Sequence, residues 1–281
     1  MTAPPADRDR LAFKAYEIEE LADVYFFRPL GMIGARAAQR LRCTPTAVTI
    51  LGTIVGIAGG ALLFAPSAAP AGFALLIVHS ILDSSDGQLA RMTGQVSEFG
   101  RMLDGIGGYL THASIYLALL ASALSGGAGG SAIAVAVAAA ISNVVHAQMY
   151  DYHRGCYAAI AIKGTPAFGD APARPAIVGA YERMQRALCG AHREVERRVA
   201  ARAVDGRVRD DDRAAYRRAF YALVRGWNVL GDNTRFYAIG VLAVLHRLDW
   251  FFIFVLIPMN AAFAALWLWQ RRADRRFLER L

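Results

Sequence analysis

Asp83, Asp86 and Asp104 stand among Gly87, Ala90, Arg91 and Gly100 in the stretch "LDSSDGQLARMTGQVSEFGRMLD". Asp83 and Asp86 are three residues apart, which on a helix puts both on one side. The segment "MTGQVS" then breaks that helix through Thr93 and Gly94, and Ser97 with Glu98 behind it starts another, with an acid in its first turn. Asp86 lies about six residues before this turn and Asp104 about six after the new helix begins, so an antiparallel hairpin brings them to one depth, roughly 9 Å in. Three bare carboxylates in one pocket repel each other and resist burial. A hard dication relieves both problems, and magnesium, manganese or calcium suits carboxylate oxygens. Magnesium in turn suits a pyrophosphate. Gly87 and Gly100 let a bulky ligand approach the backbone, and Arg91 could pair with a phosphate. The structural alternative is a salt bridge from Arg91 to Asp86 or Glu98 with nothing bound. Acids at membrane depth favour the functional reading.

The elements that must position these residues are apolar. The chain has 281 residues, 56% of them hydrophobic, and a mean hydropathy of +0.31. Apolar blocks occupy 46–65, 70–82, 109–124, 130–149, 236–245 and 250–269. A span needs about 20 mostly apolar residues. The first, fourth and sixth blocks suffice alone, the second and third do so if their helices run on through the polar motif, and the fifth is short. The expectation is an all-α polytopic membrane protein with six transmembrane helices. Residues 1–42 form a cytoplasmic N-terminal region, polar and aromatic by turns, that fits an amphipathic helix on the membrane surface. Residues 43–150 hold membrane helices 1–4 and the aspartate motif. Residues 151–231 form a cytoplasmic insertion with two amphipathic, charge-laced helices parted near "VDGRVRDDD", read as a solvated surface pair, with a lid or acceptor-binding cap over the site as the alternative. Residues 232–281 supply membrane helices 5–6 and a basic C-terminal tail.

Arginine marks one side of the membrane. Arg28, Arg36, Arg40, Arg42, Arg91 and Arg101, the insertion and the tail alternate with the nearly uncharged connections 66–70 and 126–130. That asymmetry puts both termini and the aspartate turn in the cytoplasm; the membrane expected is a bacterial inner one. The net charge of +8 suits an anionic lipid surface or anionic substrates. It does not form the single basic module that nucleic acid binding requires. Cys43, Cys156 and Cys189 show no metal-ligand spacing and read as reduced thiols.

The motif resembles the signature of the CDP-alcohol phosphotransferase family: Asp, two residues, Asp-Gly, two residues, Ala-Arg, eight residues, Gly, three residues, Asp, three residues, Asp. Asp83, Asp86, Gly87, Ala90, Arg91, Gly100 and Asp104 match seven of the eight positions with every spacing kept. "CTPTAVTILG" (43–52) resembles the segment that opens the family's first span, with Thr46 where many members have Asn. The resemblance implies six membrane helices, a surface helix and commonly a homodimer, for which the small residues of 130–142 would permit close contact. It implies a CDP-linked lipid or alcohol donor, CDP-diacylglycerol being the commoner bacterial one, a hydroxyl acceptor, and release of CMP in phospholipid synthesis. By the same resemblance Asp83, Asp86 and Asp104 would ligate Mg2+ or Mn2+. With Gly87, Ala90, Arg91 and Gly100 they would bind the nucleotide. The eighth position, usually assigned as the catalytic base, is Gly108. His112, one turn on, is a candidate base and equally a core histidine. The alternative is a degenerate member that binds nucleotide and metal without efficient turnover. A transporter with an acidic cation site fits less well, because such sites lie nearer the midplane.

Overall fold

The computed structural model describes residues 16–167 and 176–281, with no β-strand among them. The first fifteen residues of the expected surface helix and residues 168–175 of the insertion lie outside the described residues. The chain divides into two compact units, residues 1–140 with 233–256, and residues 141–232 with 257–281.

In the first unit, α1 (Arg28–Arg40) follows a π-helical stretch, Asp23–Phe27. Leu21, Tyr25 and Ile33 are exposed along this segment, while Phe27 and Ala35 are buried. α2 (Pro45–Leu62) starts where chemistry favours it: the Thr44 hydroxyl accepts from the Ala47 amide at 3.2 Å, and Pro45 needs no amide partner in the first turn. α3 (Ala69–Thr93) ends at Gly94, whose φ of +69° is strained for a residue with a side chain. α4 (Glu98–Ser125) begins at Ser97, whose hydroxyl accepts from the Gly100 amide at 3.0 Å. α8 (Asp232–Val244) and the residues that follow it to 256 complete the unit.

α2 packs against both α3 and α4, and α1 lies against α3. Between helices in lipid, small residues do the work that apolar burial does in water. A methyl on Gly56 would run into Thr111 and His79, one on Gly107 into Thr53, and one on Gly31 would stand 2.5 Å from the Ser84 hydroxyl. α3 and α4 pack chiefly on α2 and not on each other, so the space between their ends nearest the turn stays open.

Among the described residues, four helices are long and apolar enough to cross a membrane: Pro45–Leu62, Glu98–Ser125, Ser131–Lys163 and Leu248–Leu278. This is an integral membrane protein. The expected second span, α3, is 25 residues long, but His79, Ser80, Asp83, Ser84, Ser85 and Asp86 dilute its second half. The expected fifth, α8, has 13 residues.

The second unit contains the end of α5 (Ser131–Tyr157, prolonged by a π stretch to Lys163), α6 (Ala176–Ala201), α7 (Asp210–Trp227) and most of α9 (Leu248–Leu278). α6 and α7 part where the sequence predicts. Val204 and Arg207 exchange backbone hydrogen bonds of 2.9 Å across Asp205 and Gly206, both with positive φ. Their solvated surface pairing needs correction. Val195, Val199, Tyr216, Phe220 and Trp227 are buried, and Phe220 meets Phe277 of the C-terminal segment at 5.3 Å. Burial lifts the Tyr216 phenol well above its ordinary pKa. Burial, then the nearby Glu196 carboxylate, pushes the Cys189 thiol up to about 12.

Candidate active site

An open cleft of about 780 Å³, solvent-filled space included, lies beside the turn between α3 and α4. α3 lends it Asp86, Gly87, Ala90 and Arg91, and α4 lends Gly100, Arg101 and Asp104. Pro45, Thr46 and Thr49 close it from α2. Six of the seven motif residues thus come together. Asp83 is exposed on α3, one turn farther from the hairpin bend, and is not part of this wall. Three residues correspond to about 300° of helix rotation, so neighbours at this spacing are offset by some 60° and need not line the same surface.

Asp86 is buried, and its Oδ2 accepts the Thr49 hydroxyl at 2.5 Å. Thr49 was not foreseen as a site residue. Its signal was available, since Thr46 and Thr49 share a face on the segment that opens α2. Arg101, also unforeseen in this role, lies three residues before Asp104 and only loosely meets the exposed Glu98, at 3.8 Å. The guanidinium of Arg91 lies close along Gly87: a methyl there would stand 3.4 Å from Arg91 Nη1. Gly100 is fitted similarly against the Ser97 hydroxyl, at 3.1 Å.

Gly108 is different. A methyl on it would meet nothing within 4 Å. His112 Nδ1 lies 2.9 Å from the Gly108 carbonyl, which can only accept, so Nδ1 carries the proton and Nε2 is the basic nitrogen. The ring stacks on Phe236 with centroids 5.9 Å apart.

A family profile described as CDP-alcohol phosphatidyltransferase matches residues 42–162, the stretch that holds the whole cleft. An archaetidylinositol phosphate synthase of Pyrococcus horikoshii is 34% identical over 142 residues, half of this chain and 69% of the relative. The chain belongs to the CDP-alcohol phosphatidyltransferase family. Phosphatidylinositol phosphate synthases of Mycobacterium tuberculosis and Mycobacterium bovis are each 34% identical over 86 residues, 31% of this chain. The match spans 40% of the length of these mycobacterial relatives. No solved structure matches the chain. As a CDP-alcohol phosphatidyltransferase it is a transferase of phosphate-containing groups in phospholipid synthesis, drawing on a CDP-linked donor.

Proposed function

We propose that this chain transfers a phosphatidyl group from CDP-diacylglycerol to a hydroxyl of an inositol-phosphate-class acceptor. The acceptor oxygen bonds to the phosphorus beside the diglyceride, the bond from that phosphorus to the CMP oxygen breaks, and the hydroxyl proton is lost. The observation that carries this reading is the cleft that joins two acids, two arginines and two glycines at one helix turn. The acceptor class rests on the relatives, whose names all end in an inositol phosphate product.

The donor set fits a hard dication. It is all oxygen, it borders an open cleft, and Thr49 fixes one oxygen of Asp86. Asp86 and Asp104, with Asp83 from the next turn, would hold Mg2+ or Mn2+, which would neutralise pyrophosphate charge when bound. Gly87, Ala90 and Gly100 admit the nucleotide to the helix backbones. Arg91 and Arg101 bind phosphate oxygens, one set on the donor and one on a phosphorylated acceptor. Such transfers depend mostly on positioning and charge neutralisation, so a chain with Gly108 at the base position can still turn over. His112 Nε2 is the candidate proton acceptor.

The second reading, a member that binds donor and metal with little turnover, is favoured by Gly108 itself. For the whole chain we infer six spans in a bacterial inner membrane, an N-terminal surface helix, and termini and cleft in the cytoplasm, as the arginine distribution suggests. A homodimer accords with the exposed apolar face of α5 at Ile133, Val137 and Ile141. The test is purified protein with CDP-diacylglycerol, Mg2+ and a panel of acceptors. CMP and a new phospholipid are expected with inositol phosphate. CMP release only with unphosphorylated alcohols overturns the acceptor class, and none with any acceptor upholds the second reading.

A further inference from the structure

The second unit gathers ligating side chains that the transferase cleft does not use. Cys156 at the end of α5 and His192 and Glu196 on α6 bring a thiol, an imidazole and a carboxylate together, with ligand atoms all within 4.8 Å of one another. The spacing of four residues puts His192 and Glu196 on one face of α6, one turn apart. Their exposures are 0%, 2% and 9%. Cys156 Sγ donates to Glu196 Oε1 at 2.8 Å, and the same oxygen accepts the Tyr152 hydroxyl. His192 Nδ1 lies 2.7 Å from Asp274 Oδ1, which Gln270 also holds at 2.9 Å.

Two features of this group point beyond an ordinary polar core. Glu196 and Asp274 are both buried, and among the described residues neither has an arginine or lysine ion partner. A dication held by the Cys156 thiolate and Glu196 forms a neutral set with the neutral imidazole, and the one remaining carboxylate, Asp274, is held by His192 Nδ1 and Gln270 Nε2. The second feature is the Asp274–His192 contact, for a carboxylate on Nδ1 fixes the tautomer that turns Nε2 towards a metal. Sulfur, nitrogen and oxygen donors together select zinc-class ions and not magnesium. A small cleft lined by Cys189, His192, Gln270 and Asp274 supplies an entry.

The geometry points to a zinc-class metal site formed by Cys156, His192 and Glu196. Binding forms a metal–sulfur bond, and the thiol proton leaves to solvent with no change of oxidation state. The Tyr216 hydroxyl, 2.8 Å from Nε2, turns away from the nitrogen as the ion takes its lone pair. The ion ties α5 to α6 and is independent of the magnesium chemistry proposed for the cleft.

The test is cobalt titration of the purified, chelator-stripped full chain, followed by absorbance, with competing zinc measured by elemental mass spectrometry. One Co2+ per chain should raise a thiolate-to-cobalt charge-transfer band that one equivalent of Zn2+ abolishes. The band should vanish in Cys156→Ser and persist in Cys43→Ser and Asp86→Asn, which separates this site from both the exposed thiol and the transferase cleft. Absence of the band in the wild-type chain overturns the site whatever the variants do. A band that survives in Cys156→Ser overturns it as well. Should Cys156→Ser fail to fold, zinc must raise the wild-type melting temperature in the presence of excess Mg2+, and no rise counts against the site.

Discussion

Thr49 has one hydroxyl proton and two acceptors in reach, Asp86 Oδ2 at 2.5 Å and the Pro45 carbonyl at 3.1 Å. The charged, nearer acceptor wins, since hydrogen bonds to carboxylates are the stronger kind. Thr49→Val keeps the shape and removes the donor. Partners that orient a metal ligand are worth about 10–100-fold in affinity. We expect the Mg2+ needed for half-maximal CMP release to rise by about that factor; an unchanged requirement would show that Asp86 needs no such orientation. Gly108→Asp tests the empty base position. The added side chain meets open space, and a well-placed base is worth about 10²–10⁴-fold, so turnover should rise by part of that range. A fall would mean that glycine shapes the acceptor pocket. His112→Ala is then decisive, and unchanged activity would remove the histidine as base. The motif residues were legible because their types and spacings are local properties. The division of labour between Asp83 and Asp86 was not, since it depends on how α3 is rotated against α2.

At the level of elements, the turn between α3 and α4 sets the distance between the two acids. Its caps are chain-local chemistry, which is why Gly94 and Ser97 could be read in advance. Gly94→Ala forces a side chain into φ near +69° and should cost about 1–2 kcal/mol. Ser97→Ala removes the cap and should cost about 1 kcal/mol. Both should lower the melting temperature and weaken CDP binding, as calorimetry would show. Loss of stability without loss of binding would mean the cleft does not rely on this turn. The sequence could not show that the arms of the hairpin pack on α2 in preference to each other. That choice lies in tertiary contacts such as Gly56 against Thr111 and Gly107 against Thr53. For the same reason the charge-laced look of α6 hid His192 and Glu196. They turn inward on a face whose neighbours, Cys156 and Asp274, are 36 and 78 or more residues away in the chain.

At the scale of the whole molecule, the all-helical class and the membrane character were legible from the apolar blocks, while span number depends on helices whose polar halves serve the site. Orientation can be read through one thiol. Cys43 is exposed at the junction of α1 and α2, whereas Cys156 and Cys189 are buried. Burial also keeps Cys189 protonated, and so unreactive, at pH 8. A membrane-impermeant maleimide should label one cysteine per chain in inverted vesicles and none in right-side-out vesicles. The reverse pattern would place the cleft outside the cytoplasm. The proposed mechanism stands on binding of a CDP-linked lipid through a divalent cation in the cleft at the aspartate turn. It is tested most directly by CMP release from CDP-diacylglycerol plus acceptor, wild type against Asp86→Asn, across a Mg2+ titration. Release should depend on Mg2+ in the wild type and fall to background in Asp86→Asn, while Arg247→Ala, remote from the cleft residues in sequence, keeps the wild-type rate. Equal release by wild type and Asp86→Asn, or release indifferent to chelation, would rule out metal-assisted donor binding at this cleft.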